Sequence, residues 1–287
     1  MTDLAALLEA EQLPPGYAEV VERLHRPLAA RIAAAARARG PGLRVGICGS
    51  QGSGKTTSVR VLELLLAQEG LRAVILSLDD LYLPHADRQR LAREAHPLLA
   101  TRGVPGTHDV ALGVDLLQRL GQAGTIVIPR FDKASDDRAP AATWTPVAGP
   151  ADVILFEGWC VGARPQDQAA LARPVNALER EADADGRWRA YVNAALAGPY
   201  RPLFEPLDLF VLFAAPSFES VLAWRTEQEH KLRARLGPAA GMSDAELAVF
   251  IAHYERLTRH ILAEAPARAD VLVSLGPARD IAGLRGL

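Results

Sequence analysis

Short apolar runs bounded by glycine, proline or charged residues punctuate the chain: Leu43 to Cys48 (LRVGIC), Arg72 to Leu78 (RAVILSL), Thr125 to Pro129 (TIVIP), Asp152 to Phe156 (DVILF), Leu207 to Ala214 and Asp270 to Leu275. They are rich in branched residues and show no polar alternation, the pattern of strands buried on both faces. Helical spacing fills the intervals. Val59, Leu62, Leu65 and Leu66 recur at three and four residues until Gly70, which predicts an amphipathic helix closed by a C-terminal glycine. Further helices are predicted over Val110 to Leu120, near Pro174 to Asp183 and Gly186 to Ala197, from Ser217 through FESVLAWRTEQEHKLRARL, and from Ser243, where Ser243 and Glu246 form a capping box. Residues 3–39 are rich in alanine and leucine at helical spacing and break at Pro14-Pro15-Gly16, which predicts two helices packed on the outside of the rest. Between Leu81 and Asp109 no strand is predicted, only a short helix near Ala86 to Ala95 and the turn-rich TRGVPGTHD; ordered loops this long are usually functional or mobile.

Strands alternating with helices imply an α/β fold with a mostly parallel central sheet, right-handed crossovers and helices on both faces. No linker, repeat or low-complexity tract interrupts the chain, so residues 1–287 are expected to be one domain, with 1–42 a helical extension packed on it. Composition adds mainly exclusions. With 49% hydrophobic and 23% charged residues the chain is an ordinary soluble globular one, and a net charge of −2 offers no electrostatic case for nucleic acid or an anionic membrane surface. The longest apolar run, Leu209 to Pro216, is far short of the roughly 20 residues a membrane helix needs, and MTDLAALLEAEQ is too acidic for a signal peptide. A cytoplasmic protein, monomer or homodimer, is expected. Cys48 and Cys160 sit at or just past apolar strands, where a small buried side chain is the usual reason for cysteine.

Candidate chemistry begins directly after LRVGIC. The stretch GSQGSGKTT (Gly49, Ser50, Gln51, Gly52, Ser53, Gly54, Lys55, Thr56 and Thr57) joins a predicted strand to a predicted helix. In that context the glycine spacing and Lys55-Thr56 predict a phosphate-binding P-loop. Backbone N–H groups and the positive helix end converge on phosphates, Lys55 reaches the outer ones, and the Thr56 hydroxyl ligates Mg²⁺. Ligands of parallel α/β sheets collect beyond the carboxyl ends of strands. Two other predicted strands end there on acids. DVILF runs into Glu157-Gly158, the form of a Walker B strand whose acid holds Mg²⁺ directly or through water, and RAVILSL runs into Asp79-Asp80. One of these aspartates could orient and deprotonate an acceptor hydroxyl while the other caps the next segment or supports the metal. Phosphoryl transfer also needs cations, and the charged helix from Ser217 carries Arg225, Lys231, Arg233 and Arg235, as a lid closing over phosphates would.

Taken together, GSQGSGKTT, SLDDLYLP, RGVPGTHD, PRFDKASDDR, FEGWCVG and AWRTEQEHKLR resemble the plant-type D-glycerate 3-kinases and their fungal and bacterial relatives, within the wider group of uridine, pantothenate and phosphoribulo-kinases. The resemblance runs in order from about Gly46 to Leu275 and implies a P-loop NTPase fold with a helical lid. It implies that Asp79 rather than Asp80 is the catalytic base, that Glu157 is the Walker B acid, and that Arg225 and Lys231 belong to the lid. It also implies that His108 and Asp109, with Arg130, Lys133 and Arg138, fall where an acceptor sits. Val104 stands where the family often has asparagine.

The function expected is an ATP- and Mg²⁺-dependent kinase acting on a primary hydroxyl of a small molecule, D-glycerate foremost. A guanidinium fork suits the glycerate carboxylate, and Arg130 or Arg138 could provide it. The alternatives are a kinase for a nucleoside or a pantothenate-like compound, and a regulatory ATPase. The few aromatics of the acceptor loops, Tyr82, Phe131 and Trp159, argue mildly against a stacked nucleobase, and no Asn-Lys-x-Asp segment is present to read guanine.

Overall fold

Most of the apolar runs come together in a single sheet. In chain order the strands of the computed structural model are β1 (Leu43–Gly49), β2 (Ala73–Ser77), β3 (Gly124–Ile128), β4 (Phe131–Asp132), β5 (Asp137–Arg138), β6 (Thr145–Gly149), β7 (Val153–Gly158), β8 (Leu209–Ala214), β9 (Val271–Leu275) and β10 (Ile281–Arg285). The structure describes residues 4–287 apart from 12, 15 and 238–240. The main sheet has the order β10-β9-β8-β1-β7-β2, parallel except for β10 at its edge. Every residue of β7 is buried, because successive side chains feed opposite cores: Val153 and Leu155 pack on one face of the sheet, Ile154 and Phe156 on the other. Cys48 and Cys160 are buried free thiols. No helix among the described residues is long and apolar enough to cross a membrane.

The helices fill both faces of this P-loop NTPase fold. The N-terminal segment forms Leu4–Ala10 and then an unbroken helical stretch from Tyr17 to Arg39, which contains a π-turn over Val21–His25. Pro27 explains that turn, since it has no N–H for the carbonyl four residues back and its ring crowds that carbonyl. The stretch lies deeper than an outer layer: Val21, Leu24, Leu28 and Ile32 are fully buried in the same core as β1 and the P-loop helix Lys55–Gln68.

Besides the short β4–β5 pairing, the strands depart from expectation in two places. Thr125 to Pro129 does not join the main sheet; β3 pairs antiparallel with β6 in a separate ribbon, burying Ile126 and Ile128 while Val127 is 43% exposed. No α-helix lies between β3 and β6, so no crossover exists to return the chain parallel to itself. The second departure is β10, which the reading that ended at Leu275 omits. A tight turn, with Gly276 N–H donating to the Asp280 carbonyl at 2.8 Å, folds it back antiparallel onto β9. Its sequence, IAGLR, has too little apolar pattern to announce a strand.

Candidate active site

β1, β7 and β2 are neighbours in that order, so their carboxyl ends stand side by side, and a cavity of about 1150 Å³ opens over them. At the end of β1 the P-loop turns through Gly52 and Gly54 at φ of +78° and +83°, a left-handed backbone that favours glycine. Gly54 is the N-cap residue of the helix that begins at Lys55, and no side chain caps that helix, so its first N–H groups are not shared with side chains. Ser50 Oγ and Ser53 Oγ are also buried without hydrogen-bond partners. Gln51, Gly52, Lys55 and Thr56 line the cavity.

Register places Glu157 beside Ile47 of β1 and Ser77 of β2. It is buried; Ser77 Oγ donates to its Oε1 at 2.8 Å, and its Oε2 has no partner. Burial pushes the Glu157 carboxyl up, opposed by the Lys55 ammonium. Asp79 lies two residues past β2, in a short 3₁₀ turn whose N-cap is Ser77. Its Oδ2 pairs with Lys133 Nζ at 2.6 Å and its Oδ1 accepts from the Tyr82 hydroxyl at 3.0 Å. Burial acts to raise Asp79, but the ammonium groups of Lys133 and Lys55 outweigh it and hold the carboxyl at about 2. Asp80, its neighbour, is committed to structure: Arg130 Nη1 donates to its Oδ2 at 2.7 Å and the Phe131 N–H to its Oδ1 at 3.1 Å.

The expected acceptor residues separate into two groups. Arg130, Phe131 and Lys133 line the cavity, whereas His108, Asp109 and Arg138 do not. His108 is buried, stacked on Tyr82 with centroids 4.7 Å apart, and its Nδ1 lies 2.6 Å from the Tyr200 hydroxyl. Burial lowers its imidazole to about 3, so it is neutral. Asp109 caps the helix Val110–Arg119 and accepts from Arg138 Nη2 at 3.1 Å, and the same Arg138 nitrogen donates to the Tyr82 carbonyl. These three residues form a layer behind Tyr82 and Asp79 in place of the direct acceptor contacts expected of them. Tyr82 and Trp159 are likewise buried, and Val104 packs with Leu99 and Trp188 in a small apolar cluster.

Sequence reasoning missed Arg88, which is wholly buried and gathers three loops. Its guanidinium donates to the carbonyls of Leu83, Ala100 and Asp136 and pairs with the Asp136 carboxylate at 2.9 Å. Because Asp136 closes the hairpin that carries Lys133, Arg88 anchors that loop from beneath. Replacing it with methionine leaves three carbonyls and a carboxylate short of a donor. The expected destabilisation is about 2–4 kcal/mol, read as a lower urea midpoint with an unchanged m-value. Its sequence neighbourhood, an ordinary charged helix face, carries no signal of this role.

The helix expected to act as a lid is Phe218–Leu236, capped by Ser217. Its first half is anchored. Trp224 Nε1 donates to the Pro277 carbonyl at 2.7 Å, and a Cβ on Gly52 would stand 2.8 Å from Trp224 Cβ, so the helix rests directly on the P-loop. Arg225 reaches the cavity and pairs with buried Glu229 at 2.5 Å; Lys231 pairs with Glu227 at 2.5 Å. Glu229 also accepts from the Met242 N–H at 2.6 Å, tying the lid to the turn that follows it. A second cavity of about 450 Å³ lies on the other side of the P-loop, walled by Leu13, Tyr17 and Val20, by Gly54 and Thr57, and by Ile281. Lys231 lines both cavities.

This donor set fits a magnesium nucleotide. Lys55 and uncapped helix N–H groups suit phosphate, a partnerless buried carboxylate oxygen of Glu157, in the cavity that Thr56 also lines, suits a hard cation, and an apolar pocket next to the loop suits a base. Comparison with known proteins agrees. Residues 44–163 match the model of the phosphoribulokinase / uridine kinase family. The chain is 36% identical to the uncharacterized kinase mug58 of Schizosaccharomyces pombe over 73% of its own length and 77% of that protein. It is 32% identical to the chloroplastic D-glycerate 3-kinase of Arabidopsis thaliana over 80% of its length, spanning about half (51%) of that protein. A solved D-glycerate 3-kinase from Cryptococcus neoformans superimposes with a TM-score of 0.73 at 26% identity, covering 93% of this chain and 98% of the other.

Proposed function

The chain belongs to the phosphoribulokinase/uridine kinase family of P-loop kinases, and from that premise we propose that it phosphorylates D-glycerate at its primary hydroxyl, with ATP as donor and Mg²⁺ as cofactor. One observation carries the reading: Lys55, Glu157 and Asp79, at three adjacent strand ends, face one cavity whose rim bears Lys133 and Arg130. A phosphate end, an acid for a metal and a base for a hydroxyl are thus within reach of one another, and the rim cations suit an acceptor with a carboxylate. The Arabidopsis and Cryptococcus relatives that bear the D-glycerate 3-kinase name support this acceptor.

In this reading residues Gly49 to Thr57 bind the phosphates, Thr56 and Glu157 hold the metal, and the nucleoside lies toward Leu13, Tyr17 and Ile281. Bound Mg·ATP supplies the transferable phosphoryl group and offsets its charge. Asp79 aligns the acceptor hydroxyl and takes its proton as the new O–P bond forms and the bond to the bridging oxygen of ADP breaks. Lys55 and Arg225 neutralise charge on the oxygens in transit, and the lid excludes water that would otherwise compete as acceptor.

The test is ADP release from Mg·ATP, coupled to NADH oxidation, with D-glycerate, L-glycerate, uridine and pantothenate in parallel. D-glycerate is expected to stimulate release above the others. Turnover equal with and without every acceptor would sink the reading, and stimulation by uridine or pantothenate alone would reassign the acceptor.

A further inference from the structure

Each oxygen of Asp79 already holds one donor, the Lys133 ammonium on Oδ2 and the Tyr82 hydroxyl on Oδ1, so in the resting site a substrate hydroxyl shares the base with a bound cation that neutralises its charge. We propose that Lys133 makes Asp79 available only to an anionic acceptor. The acceptor's own carboxylate takes over the Lys133 ammonium, and the Asp79 Oδ2 so released receives the hydroxyl. This inference rests on the kinase reading above and makes Lys133 the residue that selects its acceptor class, small hydroxy acids.

Geometry favours Lys133 over the other cations of the region. Arg130 donates to Asp80 and to Thr145 Oγ1, Arg138 to Asp109, Arg102 to Asp136, Arg225 pairs with Glu229 and Lys231 with Glu227. None of these partners is the candidate base, whereas the partner of Lys133 is. Lys133 stands between β4 and β5 at an exposed hairpin tip, and its side chain is 61% exposed. The hairpin's base is fixed: the Phe131 N–H donates to Asp80, the His85 N–H to Asp137, and Arg88 holds Asp136. Only the flexible four-carbon stem of Lys133 need move. For an anionic acceptor the exchange trades one carboxylate for another, with little net change at the ammonium. A neutral acceptor provides no replacement and must strip the ion pair unaided.

The remaining groups around Asp79 sharpen the electrostatic consequence. Tyr82, Tyr254 and Cys160 are pushed up by burial and His108 is pushed down, so all four are neutral, which leaves Lys55, Lys133, Asp80 and Glu157 as the charges that face it. Withdrawal of Lys133 removes the largest opposition to burial and raises the proton affinity of Asp79, at the moment when a proton must be accepted.

The experiment compares D-glycerate with its neutral methyl ester, which keeps the same hydroxyl, in the wild type, Lys133→Met and Lys133→Arg. Wild type is expected to favour the acid by about 100-fold in kcat/KM, Lys133→Met to bring the pair within about tenfold, and Lys133→Arg to restore most of the preference. In Lys133→Met, acceptor-independent ADP release should rise, and the acid limb of the pH profile should move to higher pH, because the ammonium that holds Asp79 low is gone. A wild type that uses the ester as well as the acid overturns the proposal, as does a Lys133→Met enzyme that keeps both the preference and the limb; in either case the kinase reading stands. If no hydroxy acid stimulates ADP release in the wild type, this inference falls, and the kinase reading falls with it only when no acceptor of any class, uridine included, stimulates release.

Discussion

Asp79→Asn is expected to lower kcat by about 10²–10⁴-fold, the usual contribution of a positioned general base, while ADP still binds with nearly wild-type affinity. Asparagine matches the shape of aspartate, and its Oδ1 can still accept from the Tyr82 hydroxyl now 3.0 Å away, so the turn after β2 should persist. What disappears is the negative charge and the ability to take a proton. The new amide N–H groups would face the Lys133 ammonium, now 2.6 Å from Asp79, and that exposed side chain can rotate into solvent. Steady-state ADP release with saturating D-glycerate, together with calorimetric titration of ADP, separates the two effects. A variant retaining more than about a tenth of wild-type kcat would remove Asp79 from the proton-transfer step.

The second large effect is expected at Lys55. Replacing it with methionine should reduce kcat by about 10²–10³-fold, as loss of one preorganised transition-state donor commonly does, and should weaken ATP binding as well. Lys55 lines the cavity together with Asp79 and Glu157, over the adjoining ends of β1, β7 and β2. It opens the P-loop helix and has no acidic side chain as a salt-bridge partner among the described residues, so the variant loses no ion pair that holds the fold. Thermal unfolding without ligand should therefore be unchanged, while the stabilisation conferred by Mg·ATP shrinks. A Lys55→Met enzyme with wild-type kcat and an unaltered ligand-induced shift would contradict the assignment of phosphates to this loop.

Much of this site was legible before any fold was known. A parallel sheet buried on both faces writes its strands as continuous branched apolar runs, and the P-loop writes itself in glycines whose left-handed φ at Gly52 and Gly54 few other residues tolerate. Asp79 and Glu157 were marked by standing where such runs end. The loops beyond were harder. His108, Asp109 and Arg138 sit within recognisable motifs, yet they hold one another and Tyr82 in place instead of facing the cavity. A motif marks that a residue matters without saying which way its side chain points. Arg88 and Glu229 illustrate the converse: they are buried charges on helices that look solvated in sequence, and only their partners on distant segments reveal them.

The sequence by itself determined the fold class, the phosphate loop and the order of the acidic strand ends, because each depends on residues close together in the chain: burial period, turn stereochemistry and helix caps. Only the tertiary structure decided which ends adjoin, that β3 pairs with β6 outside the main sheet, that the N-terminal helices enter the core, and that Lys133 rather than Arg130 or Arg138 meets the candidate base. Those outcomes depend on contacts between segments far apart in sequence, such as the 54 residues separating Asp79 from Lys133. For a charged side chain the choice among several available partners is made by the geometry of the folded loops, which no local pattern encodes.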